Sequence, residues 1–226
     1  MPSGTPKSSG TAEYALTHAG SFPRRSISTA AADLPKSRDI TTMNVPSFSL
    51  SWCYSMKGRT MPEAMISLRP MGDTVEDYSA LRDWFHEPEL RQWVWCDEKD
   101  EPPVSLERVR EKYRPRIVSP VDVFPYFILL DGSAAGFIQY YMHGEHSAGI
   151  DMWIGSPDNR GRGCGTEALR QMVELIRECH PHITEVFIDP EPENIRAVRC
   201  YEKVGFRTVG TITDDGAECL LMKITF

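Results

Sequence analysis

The stretch Asn159-Arg-Gly-Arg-Gly-Cys-Gly-Thr166 decides the fold. Its three glycines at alternate positions let the backbone turn several N–H groups into one concavity. Apolar residues spaced three and four apart predict a helix directly after it, and a helix N-terminus attracts anions. The two arginines add donors whose geometry suits phosphate. The stretch therefore predicts a phosphate site, and the alternative is a tight glycine turn with two solvated arginines.

Hydrophobic periodicity predicts alternating strands and helices around this loop. Asp131-Gly132 is a hairpin signal between two of the strands. The predicted strands span 65–70, 124–130, 135–142, 148–154, 183–188, 206–213 and 219–225. The predicted helices are one capped by Asp73 or Thr74, one begun by Ser105 and ended by Pro115, one over 166–179, and one over 194–203 ended by Gly205.

Composition is typical of one soluble domain with some length left over. The chain has 226 residues, of which 41% are hydrophobic and 25% charged, and no run approaches the roughly 18 apolar residues of a membrane helix. Its six cysteines form no CxxC pair, which favours reduced thiols and a cytoplasmic location. Its six histidines show no ligand spacing, so we predict no metal site.

Residues 1–60 differ from the remainder in composition and charge. They are rich in Ser, Thr, Ala, Pro and Gly, lack periodicity, and carry seven Lys/Arg against three Asp/Glu. We expect a disordered extension, a transit-like segment, or an upstream start with Met61 or Met65 as the natural beginning. The remaining residues hold 18 basic and 29 acidic side chains, a balance that disfavours nucleic acid and suits a cationic small molecule, although simple solubility also explains it.

The spacing Arg160-x-x-Gly163-x-Gly165 resembles the acyl-CoA pyrophosphate loop of the GNAT superfamily of N-acetyltransferases. A second signature of that superfamily, Asn-x-x-Ala-x-x-x-Tyr-x-Lys-x-Gly-Phe, occupies residues 194–206. Gly149-Ile-Asp151, Asp189-Pro190 and residues 196–206 are similar to the aminoglycoside 6'-N-acetyltransferases, so the resemblance covers about residues 65–226. It implies one α/β domain of GNAT type, with a mixed, mostly antiparallel sheet that splays at the acyl-CoA site and has helices on both faces.

The implied activity is transfer of an acetyl group from acetyl-CoA to the 6'-amine of an aminoglycoside, which confers antibiotic resistance. The segment before Gly149 is short and has Glu145 as its only acid, so the sequence also allows amines other than aminoglycosides as substrates. The alternatives are a GNAT enzyme that acts on a siderophore hydroxylamine, a polyamine or a protein N-terminus, and a non-catalytic acyl-CoA-binding regulator. We expect a monomer or weak homodimer without membrane or nucleic-acid partners.

The resemblance also implies roles for individual residues. Asp151 and Asp189 would hold and deprotonate the amine, and Tyr201 would protonate the leaving thiolate; the alternatives are a strand-ending turn at Asp189 and a core position for Tyr201. Trp93, Trp95 and Tyr113 would stack on a sugar ring unless they belong to the core, and Asp215 would add a carboxylate. The implied cofactor-binding residues are Met152, Trp153, Ile154, Arg160, Gly161, Arg162, Gly163, Gly165, Thr166 and Asn194.

Overall fold

A computed structural model describes residues 65–91, 93–94, 104–214 and 216–226. Seven strands form one sheet in the order β1-β2-β3-β4-β5-β7-β6, antiparallel except where β4 meets β5. The strands are β1 Ile66–Pro70, β2 Val123–Leu130, β3 Ser133–His143, β4 Ser147–Ile154, β5 Glu185–Ile188, β6 Arg207–Asp214 and β7 Ala217–Thr225. The mixed, mostly antiparallel sheet is thus confirmed. The predictions for residues 1–60, Trp95 and Asp215 lie outside the described residues.

The parallel pair β4–β5 separates halfway along its length. The two strands pair at Ser147, Ala148 and Gly149 of β4, whereas β4 continues to Ile154. Beyond Gly149, the edge of β4 that faced β5 therefore has backbone groups without a strand partner. The predicted splay is confirmed, and it opens the sheet next to Asp151.

Five α-helices accompany the sheet among the described residues. They are α1 Val75–Phe85, α2 Pro88–Arg91, α3 Leu106–Val118, α4 Cys164–Cys179 and α5 Ile195–Val204, and a 3-10 turn spans Pro157–Asn159. Thr74 caps α1 by accepting the backbone N–H of Asp77 at 3.2 Å, as the sequence predicts. Asn194 caps α5 in the same way, and Gly205 ends α5 at a φ of 119°. Neither α2 nor the 3-10 turn was predicted, because each is too short to show a period.

The helices cover both faces of the sheet. Phe127 and Ile128 are adjacent in β2 and fully buried, yet they belong to different clusters because successive side chains of a strand point to opposite faces. Ile128 packs with side chains of α4 and α5, and Phe127 packs with side chains of α1 and α3. The site described below lies where these two layers meet the splayed end of β4.

Helix α3 corrects one prediction. Pro115 was expected to end the helix, but it lies inside, and α3 continues to Val118. A proline this close to the C-terminus removes one backbone hydrogen bond, and its own carbonyl still accepts the N–H of Ser119 at 3.1 Å. Ile117, in the added turn, packs against the core on that face of the sheet. The extra turn carries Arg116 toward the sheet.

None of the helices in the described ranges combines the length and apolarity that a membrane span requires. The longest, α4, has 16 residues and buries one stripe of apolar side chains. Four cysteines, Cys164, Cys179, Cys200 and Cys219, carry free thiols.

Candidate active site

The glycine loop before α4 adopts the conformation that its sequence requires. Gly161 and Gly163 have φ angles of 72° and 85°, in the left-handed region where a side chain is strained. A Cβ atom at either position would meet no atom within 4 Å, so conformation rather than space demands glycine. Gly163 is the N-cap of α4, and the N–H groups of the first turn of that helix lack intrahelical acceptors. The loop and helix together form a site for an anion.

A cleft of about 630 Å³ lies between this loop, the splayed end of β4 and α5. Nine of the ten residues predicted to bind the cofactor line it, and Arg162, which is exposed, does not. Helix α5 adds three basic side chains that the sequence analysis missed, Arg196, Arg199 and Lys203. Their spacing of three and four residues places them on one helical face, a signal that could have identified them. The nine predicted residues that line the cleft are Met152, Trp153, Ile154, Arg160, Gly161, Gly163, Gly165, Thr166 and Asn194.

The side chain of Arg160 is already engaged by two carboxylates. Its guanidinium bonds Glu87 at 2.6 Å and Glu89 at 2.6 Å, and its side chain is 11% exposed. It also donates to the backbone carbonyls of Ile154 and Gly155. Arg160 thus ties the loop to β4 and α2 in this structure, and a role for its guanidinium in phosphate binding stays a prediction.

Glu89 also connects the two sides of the cleft. One carboxylate oxygen pairs with Arg160, and the other pairs with Arg196 of α5 at 3.0 Å. Glu87 serves a second purpose, since it accepts the N–H of Leu90 at 2.7 Å and so caps α2. The carboxylate of Glu89 thus occupies arginines that would otherwise attract an anionic ligand.

Glu89→Gln is expected to lower the KM for an anionic cofactor by about threefold, because exposed charge pairs are worth roughly 0.2–1 kcal/mol and the substitution frees Arg196. Glu87 would still hold Arg160 in the variant. Steady-state kinetics at fixed acceptor concentration measure the effect, with Glu76→Gln on the exposed face of α1 as the control. A higher KM in Glu89→Gln would show instead that the ion pair orders the loop for binding.

A second pocket opens at the same splay point and is acidic. Its lining includes the predicted Asp151 and Asp189, together with Glu191 and Asp214, which were not predicted. Trp93, Met152, Trp153, Asn194 and Tyr201 line both this pocket and the larger cleft. The two cavities therefore share a wall at Tyr201, and a group held in one can reach a group held in the other.

Asp151 has an electrostatic environment unlike that of a surface carboxylate. Burial of the carboxyl raises the pKa of Asp151 to about 7, and the nearby charges of Asp189 and Asp214 act in the same direction. A hydrogen bond donated by Gln139 Nε2 to Asp151 Oδ2 at 2.7 Å and the charge of Arg116 oppose this rise in pKa. The carboxyl can consequently exchange a proton near neutral pH, as a general base must.

Tyr201 lies at the junction of the two cavities and also belongs to the core. It is 7% exposed, its ring lies 6.4 Å from that of Phe206, and it packs in the cluster beneath α4 and α5. Burial raises the pKa of Tyr201 above its ordinary value, with Cys200, Asp189 and Asp151 adding to the rise. The hydroxyl is therefore protonated at neutral pH and can donate a hydrogen bond. The two interpretations of Tyr201 are compatible.

The two described aromatic residues that were predicted to stack on a sugar lie in different environments. Trp93 lines both cavities. Tyr113 does not: it has no exposed surface, its ring packs edge-on against Phe137 at 5.5 Å, and Arg116 covers its face at 5.3 Å. The prediction for Tyr113 is therefore wrong, because α3 turns this ring into the core.

No group of three or more His, Cys, Asp or Glu within the described ranges is arranged to hold a metal ion. The chemistry supported by this geometry is proton transfer at Asp151 and hydrogen bonding at Tyr201, beside a cleft suited to an elongated anionic ligand.

Comparison with known proteins gives consistent results. Residues 73–214 match the family model described as acetyltransferase (GNAT) domain. The aminoglycoside N(6')-acetyltransferase type 1 of Klebsiella pneumoniae is 32% identical over 169 residues, which cover 70% of this chain and 81% of that protein. A kanamycin resistance protein of Rhizobium radiobacter is 40% identical over 74 residues, or 33% of this chain and 68% of that one. The crystal structure of aminoglycoside acetyltransferase AAC(6')-Ib with coenzyme A and kanamycin superposes with a TM-score of 0.61 at 30% identity, covering 71% and 95% of the two chains.

Proposed function

This chain belongs to the GNAT acetyltransferase family, and we propose that it is an aminoglycoside 6'-N-acetyltransferase that uses acetyl-CoA and confers aminoglycoside resistance. One observation carries the proposal: a pocket with four carboxylates opens beside the cofactor cleft at the splay of β4 and β5. Carboxylates in a pocket favour a polycationic ligand. The similarity to proteins named for aminoglycoside acetylation and kanamycin resistance supports the same substrate class.

The cleft residues fit acetyl-CoA, which supplies the acetyl group as a reactive thioester. The loop at 160–166 and the N-terminus of α4 would hold its pyrophosphate, and Arg199 and Lys203 add positive charge along α5. The backbone of Met152 to Ile154, without a strand partner on one side, would bind its pantetheine arm. The N–H groups on that side of β4 have no strand partner and would donate to the arm.

In the proposed mechanism, the acidic pocket binds the ammonium groups of the aminoglycoside, and Asp151 accepts the proton of the reacting amine directly or through water. Asp189 stabilises the remaining positive charge. The neutral amine would then attack the thioester carbonyl, and the new C–N bond would form as the C–S bond breaks. Tyr201 would donate its hydroxyl hydrogen bond to the departing thiolate, which leaves as the thiol on gaining the second proton that the amine loses. Burial favours the neutral form of any acid at this position, so a thiolate there also gains proton affinity. A cytoplasmic location and a monomeric or weakly dimeric state stay predictions.

A thiol-release assay tests the proposed substrate class. Kanamycin and tobramycin are expected to give a far higher kcat/KM than N6-hydroxylysine, which represents the alternative hydroxylamine substrates. The opposite preference would keep the acetyltransferase activity and overturn the substrate. No release with any amine would favour a non-catalytic acyl-CoA-binding protein.

Tyr201→Phe is expected to lower kcat roughly 100-fold while the aminoglycoside KM changes little, because a leaving-group donor acts mainly in the transition state. The ring is buried and would be kept, so thermal unfolding should barely change. Steady-state kinetics with both substrates measure the split. An unchanged kcat would remove Tyr201 from the mechanism.

A further inference from the structure

Gln139 is a buried polar side chain in the middle of β3. It has no exposed surface, and its position on β3 lies directly opposite Asp151 on β4. Its Nε2 donates to Asp151 Oδ2 at 2.7 Å, and its Oε1 accepts from Arg116 Nη1 at 3.2 Å. A buried amide is costly unless its polar atoms are paired, and here both ends are paired.

The two neighbours fix the orientation of this amide. The guanidinium of Arg116 can only donate, so it must meet the carbonyl oxygen of Gln139. An ionised Asp151 can only accept, so it must meet the NH₂ group. Rotating the amide by 180° would oppose two donors at one end and two acceptors at the other. Arg116 therefore selects the one orientation of Gln139 that stabilises the ionised form of Asp151.

We propose that Arg116 and Gln139 form a positioning relay that holds one carboxylate oxygen of Asp151 and presents the other to the substrate amine. The proposal rests on the proposed function, since it assumes that Asp151 is the base. Neither relay residue touches the substrate in this account. Both act through Asp151, by orienting its carboxylate and by favouring its ionised form.

The relay opposes a strong tendency of Asp151 to be protonated. Burial and nearby carboxylates raise its pKa, and within the described part of the chain the hydrogen bond from Gln139 and the charge of Arg116 counter them. Without the relay, a smaller fraction of Asp151 would be ionised at neutral pH, so fewer molecules could attract an ammonium group and accept its proton. The titratable and charged groups that face this carboxyl or line its pocket are Arg116, Tyr113, Tyr141, Asp189, Glu191, Tyr201, Asp214 and Cys219.

The continuation of α3 past Pro115 gives the relay its first member. Arg116 lies in the turn that the proline was expected to abolish, and its guanidinium is held over the ring of Tyr113 at 5.3 Å. The buried Tyr113 thus supports the arginine from below.

The dependence of kcat/KM on pH tests the relay. Gln139→Met keeps the side-chain length and removes both hydrogen bonds, and Arg116→Met removes the charge. Both are expected to move the midpoint of the acidic limb upward by about one pH unit, because each removes an interaction that favours the ionised form of Asp151. Activity should recover substantially at high pH. Arg116→Lys keeps a positive charge, so its midpoint should lie between those of the wild type and Arg116→Met.

Arg114→Met is the matched control for Arg116→Met. Arg114 is an exposed arginine of the same helix that pairs with Asp73 at 3.2 Å, away from the pocket, so its profile should match the wild type. An equal loss of activity at every pH, with an unmoved midpoint, would overturn the relay and leave Gln139 a packing residue. Arg116→Met, at a partly exposed position, keeps the test valid if Gln139→Met fails to fold.

Asp151→Asn in the same assay separates the relay from the proposed function. If Asp151→Asn removes the acidic limb while Gln139→Met and Arg116→Met leave its midpoint unmoved, the relay fails and the base stands. If Asp151→Asn retains both activity and the acidic limb, the assignment of the base fails, and the relay with it.

Discussion

Asp151→Asn is expected to lower kcat/KM for an aminoglycoside by roughly 100- to 10,000-fold, the usual effect of removing a positioned acid or base. The variant loses both the negative charge that attracts the ammonium group and the acceptor for its proton. In the wild type, kcat/KM should rise as the pH passes through about 7, because Asp151 must be ionised and its pKa is raised to that value. In the variant this acidic limb should be absent.

Stability measurements separate this loss from misfolding. The pKa of Asp151 in the folded protein is raised to about 7, above the value near 3.9 of an unfolded chain. The folded state thus holds its proton to higher pH, and stability falls as the pH rises toward 7. Asparagine removes that cost and can still accept from Gln139, so the variant should melt at the same or a higher temperature at pH 8. A fully active variant would contradict the mechanism.

Gly163→Asp is expected to weaken coenzyme A binding by at least about 100-fold. The substitution places a carboxylate at the N-cap of α4, where the proposed pyrophosphate binds, and strains a backbone with φ at 85°. Each hydrogen bond lost to a charged group costs roughly 1.5–3 kcal/mol, so disturbing two donors suffices. Isothermal titration calorimetry measures the change.

Gly163→Asn provides the matched control for this loop. Asparagine tolerates the left-handed region about as well as aspartate but carries no charge. A Cβ atom at this position meets nothing within 4 Å, so neither variant should unfold the domain. We expect Gly163→Asn to keep most of the affinity. Unchanged binding in Gly163→Asp would show that the phosphates lie elsewhere.

Local signals predicted the elements that frame the site. The threonine cap of α1, the glycine end of α5 and the Asp131-Gly132 hairpin each depend on a few adjacent residues, and the structure has all of them. The structure also explains why position 149 of the Gly-Ile-Asp motif is a glycine. A Cβ atom there would overlap the ring of Tyr141, which packs edge-on against Phe187.

Long-range contacts could not be predicted in the same way. The carboxylate partners of Arg160 lie 71 and 73 residues away, one in the four-residue helix α2 and one directly before it, so no spacing in the chain connects them to Arg160. The burial of Tyr113 and the bond between Arg116 and Gln139 depend on how α3 packs on the sheet. Asp214 faces the pocket at the end of β6, and strand register decides which residue of a hairpin does so.

Acetylation of a matched pair of aminoglycosides tests the central claim most directly. One member carries a 6'-amine, as kanamycin does, and the other carries a 6'-hydroxyl at the same position. We predict that the protein with acetyl-CoA converts the first to its 6'-N-acetyl derivative, identified by NMR, and does not acetylate the second at that position. Acetylation of neither compound, or of both at a site other than 6', would contradict the account.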